Sequence, residues 1–138
     1  MASYNKFQQF VEDMAEKKHD LGADTLTVAL TAAANAPVAT NSVLTDLTQI
    51  SYTNLSSRTL SQSSSAQSSG TYKLVITDKV LTASGGAVAT FRYVVIYNDT
   101  HATDGLVCYF DYGSNLTLAD TESLTLDFDG SNGLLQVA

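Results

Sequence analysis

Apolar residues recur with two different periods along this chain of 138 residues. Near the start, Phe7, Phe10, Val11 and Met14 fall at i, i+3, i+4 and i+7, one stripe of an amphipathic helix. Ser3 precedes the stripe as an N-cap and Gly22 follows it as a stop. The spacing predicts a helix over about Tyr4 to His19, with Asp13 and Lys17 as an acid-before-base pair one turn apart. After Gly22 the period drops to two. Leu26, Val28 and Leu30 point one way, while Thr25, Thr27, Ala29 and Thr31 point the other, as in a half-buried strand.

The remainder reads as short strands between turn signals. Ala32 to Asn41 holds the sole proline, Pro37, and predicts a loop. Val43 to Tyr52 predicts a short turn and then a strand from about Leu47. Ser56 to Gly70 is almost wholly polar and predicts a flexible loop or a long hairpin tip, with an edge strand near Arg58 to Ser63 as the alternative. Strands are expected at Tyr72–Thr77, Val80–Ala83, Phe91–Tyr97 and Leu106–Tyr112. Phe91–Tyr97 is too continuously apolar for a face open to water, so it belongs in the middle of a sheet. Ser84-Gly85-Gly86, Asn98 to Gly105 and Gly113-Ser114-Asn115 supply turns. Leu116 to Ala119 leads to a further turn at Asp120-Thr121-Glu122. Leu124, Leu126 and Phe128 then alternate inward. Asp129 to Gly133 turns again, and Leu134, Leu135 and Val137 form a last strand.

Eight or nine strands at such spacing predict a mainly β protein: an antiparallel sandwich or jelly-roll-like barrel with one N-terminal amphipathic α-helix. The expected division is 1–22 for the helix and its cap, and 23–138 for the β-sandwich, together one globular unit.

Charge narrows the partners. The net charge is −7, with Lys plus Arg at 7 and Asp plus Glu at 14. That balance argues against nucleic acid and against an anionic membrane surface. No apolar run approaches the roughly 20 residues of a spanning helix. The first residues lack the charged-then-apolar plan of a secretion signal. A single cysteine, Cys108, rules out an internal disulfide framework and a multi-cysteine metal site.

Candidate chemistry is sparse. His19, where the helix is expected to end, and His101, in a polar loop, are expected to be surface histidines without a special role. Cys108 is expected to be a buried, inert thiol. Asp127 and Asp129 before Gly130, and Asp99 and Asp104 around a loop, are the acid pairs worth weighing. Asp127-Phe128-Asp129-Gly130 lacks the remaining ligands of a calcium loop. A carboxylate-pair hydrolase would use Asp127 and Asp129. The glycines form no phosphate cradle. Three Asn-x-Ser/Thr triplets, from Asn54, Asn98 and Asn115, are what chance gives in so Ser/Thr-rich a chain. The seven tyrosines suit either core-edge packing or a sugar- or protein-binding face. No catalytic residue, cofactor or metal ligand is expected.

Several stretches carry a family resemblance. They are Tyr4-Asn5-Lys6-Phe7 with Phe10-Val11-Glu12-Asp13, Asp24-Thr25-Leu26 with Val28-Ala29-Leu30-Thr31, and Ala36-Pro37-Val38-Ala39. Further along come Gly70-Thr71-Tyr72-Lys73-Leu74-Val75, Thr82-Ala83-Ser84-Gly85-Gly86 and Phe91-Arg92-Tyr93 with Tyr97-Asn98-Asp99-Thr100. Asp111-Tyr112-Gly113-Ser114 and Leu126-Asp127-Phe128-Asp129-Gly130 close the series. In this order the chain resembles small virion structural proteins of tailed bacteriophages. The likeness covers most of the chain and is weakest over Ser56 to Ser69.

The resemblance implies a head decoration, or cement, protein on the capsid exterior. Its partners would be the major capsid protein and copies of itself, and a trimer would match the local three-fold points of the shell. The alternative is a small tail or fibre component that binds a host-surface glycan or protein. Phe7, Phe10, Val11 and Met14 are the expected partner-binding residues, unless the stripe lies on its own sandwich. Exposed strand edges offer a second docking route, by strand addition.

Overall fold

The computed structural model describes residues 2–138. Among the described residues nine strands form antiparallel sheets, with one short α-helix near the N-terminus, a sandwich-like, mainly β architecture. In chain order the strands are β1 (Tyr4–Lys6), β2 (Leu26–Thr31), β3 (Gln62–Ser68), β4 (Thr71–Ile76), β5 (Lys79–Thr82), β6 (Phe91–Asn98), β7 (Leu106–Leu116), β8 (Ser123–Leu126) and β9 (Leu135–Val137). The largest sheet runs β1-β7-β6-β2; smaller ones run β3-β4-β9 and β5-β8.

β6 lies between β7 and β2, and Val94 to Asn98 are all buried. Its unbroken apolar run fits that place, because neither face meets water. One ladder crosses the sheet in register: Tyr4 opposite Phe110, Phe110 opposite Val94, and Val94 opposite Leu30. Those residues share a face, which a two-residue period guarantees. The core adds Leu74 and Ile76 from β4, Leu81 from β5, and Leu134 and Leu135 at β9.

The N-terminus departs from expectation. The helix α1 spans only Gln8–Ala15. Tyr4–Lys6 is instead a strand on the edge of the main sheet, paired with β7. Ser3 therefore caps nothing; Phe7 holds the N-cap position in extended backbone without a side-chain hydrogen bond. The helix ends before Lys17, whose φ is +63°, and not at Gly22. Lys18, not Lys17, reaches Asp13, at 3.1 Å. With β1 in the sheet and Phe7 and Phe10 in the core, no structural boundary falls between residues 22 and 23.

Three further segments differ. β2 is buried at all six positions, threonines included. Two short stretches, at Gln49–Ile50 and Arg58–Leu60, line its outer edge, with Ile50 N donating to Leu30 O, Val28 N to Arg58 O and Leu60 N to Leu26 O. Beyond the turn Leu44–Asp46, residue Gln49 makes one bridge to Thr31 in place of the strand expected from Leu47. The polar Ser56–Gly70 stretch is no loose loop: Gln62–Ser68 is β3. The turn expected at Gly113 lies inside β7, which continues to Leu116. Residues 112 to 115 bulge out there, between the pairs Tyr93 with Asp111 and Phe91 with Leu116. Gly113, at φ +93°, allows the bulge, and Asp111 Oδ1 accepts from its N–H at 2.8 Å.

Candidate interaction site

The expected partner-binding stripe does not form a docking surface. Phe7 and Phe10 are 0% and 5% exposed, inside the core of their own domain. Phe7 packs on Tyr109 with ring centroids 5.1 Å apart. Met14 is half-buried against the same core. Val11 alone is open, at 51% exposure. The reason is geometric: β1 ties the chain to the sheet edge immediately before Phe7, so the apolar side of α1 closes onto β7.

The site that does form is an apolar cleft of about 690 Å³ between the main sheet and β8. Tyr4 and Phe110, edge to face at 5.9 Å, make one wall. Leu124, Leu126 and Phe128 make the other, which is where their alternation was expected to point inward. All three are partly buried against the core. Tyr112 flanks the opening and is half exposed, because the β7 bulge pushes it outward. Burial raises the Tyr4 hydroxyl well above the ordinary tyrosine range, with Cys108 adding to the effect.

Asp127 and Asp129 also line the cleft, and no Lys or Arg does. Asp129 has a structural task. Its carboxylate accepts from Ser131 N, Asn132 N and Asn132 Nδ2, each at 2.8 Å, and so shapes the turn that leads to Gly133. The Asn132 backbone N–H first, then its side chain and the Ser131 N–H, hold Asp129 below the usual carboxylate range. A general acid needs the opposite shift. Among the described residues no three His, Cys, Asp or Glu side chains are grouped to hold a metal ion. Asp99 and Asp104 do not join the cleft. Cys108 is buried, and burial pushes its thiol pKa up.

His19 is not a surface residue: its side chain is wholly buried. It sits between Phe10 and His101, each ring centroid 5.1 Å away. Asn98 at the end of β6 binds it, and Asp13 from α1 faces it. These partners are scattered along the sequence, so only the fold reveals the cluster. Two other tyrosines meet neighbours in their own domain. Tyr52 lies under the Arg58 guanidinium at 3.6 Å, and Tyr72 bonds Ser65 at 2.8 Å.

No protein-family model matches the chain, and no curated protein and no solved structure matches it significantly. The functional reading therefore rests on the cleft and on the surfaces beside it.

Proposed function

We propose that this chain is a bacteriophage virion structural protein: a head decoration protein that binds the outside of the capsid and stabilises it. The observation that carries the reading is the open cleft of about 690 Å³, walled by aromatic and aliphatic side chains on hydrogen-bonded strands. Such a site suits side chains of another polypeptide. The carboxylates of Asp127 and Asp129 favour an apolar segment that carries a basic residue. The major capsid protein supplies that segment in this reading. Repetition over a lattice gives avidity to a contact that is weak in each copy.

The test is reconstitution of bare heads with the pure protein, followed by image reconstruction. The expected result is density over the whole shell, lost with the double change Tyr112→Ala and Phe128→Ala while the circular dichroism spectrum stays unchanged. Recovery with tails in a few copies would favour the fibre reading, in which the same exposed tyrosines meet a host-surface glycan or protein. Absence from particles altogether would remove both readings.

A further inference from the structure

The free edge of β3 is a second surface, distinct from the cleft. β3 ends the order β3-β4-β9, so one side of it pairs with no other strand. It is 7 residues long, and Ser63 to Ser68 are all exposed. Side chains on both of its faces therefore reach water, although the turn at Gly22 lies against Ser65. The turn to β4 holds the ribbon in register: Ser69 and Gly70 have φ of +50° and +83°, the two positive values of the tightest hairpin turn. Beyond a bulge at Ser63, the edge from Ser64 to Ser68 is thus an ordered row of peptide groups, those not bonded to β4 being turned outward.

Edges of this kind are ordinarily blunted by lysine or proline. Here no charged residue and no proline occurs from Thr59 to Tyr72. The neutrality matters because the whole chain carries −7. Two copies repel wherever acidic surfaces meet, and this stretch carries no charge of its own. A strongly basic partner would call for an acidic edge instead. An antiparallel edge also complements itself: across a two-fold axis each strand donates and accepts the same bonds. The Ser and Gln side chains add cross-strand hydrogen bonds.

We infer that β3 pairs with β3 of a second copy of this chain, antiparallel about a two-fold axis, to make one sheet continuous through both copies. The contact is small for a protein interface, well under the roughly 800 Å² per partner of a stable complex, so the association is weak and concentration-dependent. It is a dimer, where the resemblance implied a trimer. It also needs no capsid, so it stands or falls apart from the decoration reading.

The experiment is sedimentation of the full chain up to about 1 mM. Wild type should pass from monomer to dimer. Ser64→Lys with Ala66→Lys, and separately Ser64→Glu with Ala66→Glu, should each weaken the dimer at least about ten-fold by like charge across the axis. An equimolar mixture of the two variants should recover a dimer, which also shows that both are folded. A wild type that stays monomeric, a trimer, or variants that associate as wild type does would each overturn the inference, as would a mixture that fails to recover.

Discussion

Asn98 Nδ2 donates a hydrogen bond to His19 Nδ1 at 2.9 Å, which fixes where the histidine carries its proton. The amide cannot be turned round without loss. Its Oδ1 already accepts from Thr100 N at 3.0 Å and His101 N at 3.2 Å, and its Nδ2 also serves Asp24. His19 is therefore neutral with its hydrogen on Nε2. That N–H meets no acceptor within hydrogen-bond distance; Asp13 Oδ2 is 4.0 Å away. A second proton would have to enter at Nδ1, against a donor.

Acid should consequently weaken the fold in two stages. Burial first, then the neighbouring His101, lowers the His19 pKa below 6.5, while Asp13 and Asp24 oppose the shift and Lys18 adds to it. A depressed histidine contributes stability that is present above about pH 6.5 and is lost as pH falls through the folded value. For Asp13, burial pulls upward, but hydrogen bonds from Gln9 and Lys18 hold the carboxylate below 3.8. Its contribution is lost in turn at lower pH. Urea midpoints should be flat from pH 8 to 7, fall below about pH 6.5, and fall again below about pH 4. His19→Gln should remove the first fall and leave the second. Asn98→Ala should cost about 3 kcal/mol at pH 7, because it strands several buried polar groups at once.

The helix stripe gives a contrast between neighbours. Phe7→Ala should cost about 3 to 5 kcal/mol, since the ring is fully buried in a packed core. Val11→Ser, at a half-exposed position one turn along, should stay within about 0.5 kcal/mol. Deleting residues 2 to 18 should unfold the whole domain, because it removes β1, both phenylalanines and Asp13 together. Chemical denaturation followed by circular dichroism measures all three.

The same stripe shows what the sequence could and could not disclose. Period-two alternation located β2 and β8, and the continuous run Phe91–Tyr97 revealed a central strand. Those signals survive because burial on one face, or on both, leaves a written pattern. Tyr4–Lys6 was hidden because a three-residue strand has no period of its own and sits against a helical stripe. β3 was hidden because both of its faces are wet, so nothing selects apolar residues at alternate places. The cleft was half legible: Leu124, Leu126 and Phe128 announced one wall. Their partners Tyr4 and Phe110 lie far away in sequence and meet them only through the β1–β7 register. The His19 cluster left no local signal at all, since Asp13, Asp24 and Asn98 come from three separate segments.

Cys108 offers a probe of global opening. The thiol is fully buried in the middle of the main sheet, and burial raises its pKa. Both effects suppress thiolate attack on an alkylating reagent. Native protein should remain unlabelled by iodoacetamide at pH 8, and labelling should rise along the urea unfolding curve. Labelling of native protein well below the unfolding transition would show that β1 and β7 separate locally, and would place the β1 edge among the least stable parts of the fold.

Gly133 couples the cleft to the core, and a comparison with Gly70 isolates how. The two glycines have nearly equal φ, +80° and +83°. A methyl group at either position meets the same backbone penalty, about 1 kcal/mol. The surroundings differ. A Cβ at Gly70 meets nothing within 4 Å, whereas one at Gly133 lies 2.5 Å from Leu74 O. That oxygen accepts the hydrogen bond from Leu134 N at 2.7 Å, which seats the last strand on β4. Backbone on both sides cannot yield as a flexible side chain would. Gly133→Ala should therefore cost at least about 2 kcal/mol more than Gly70→Ala, read as the difference in urea midpoints scaled by a common slope. Leu134 lines the cleft, so any relaxation that accommodates the methyl group must displace a wall of the site. In the decoration reading, Gly133→Ala should then lose capsid binding at temperatures where it is still folded, while Gly70→Ala binds as wild type does.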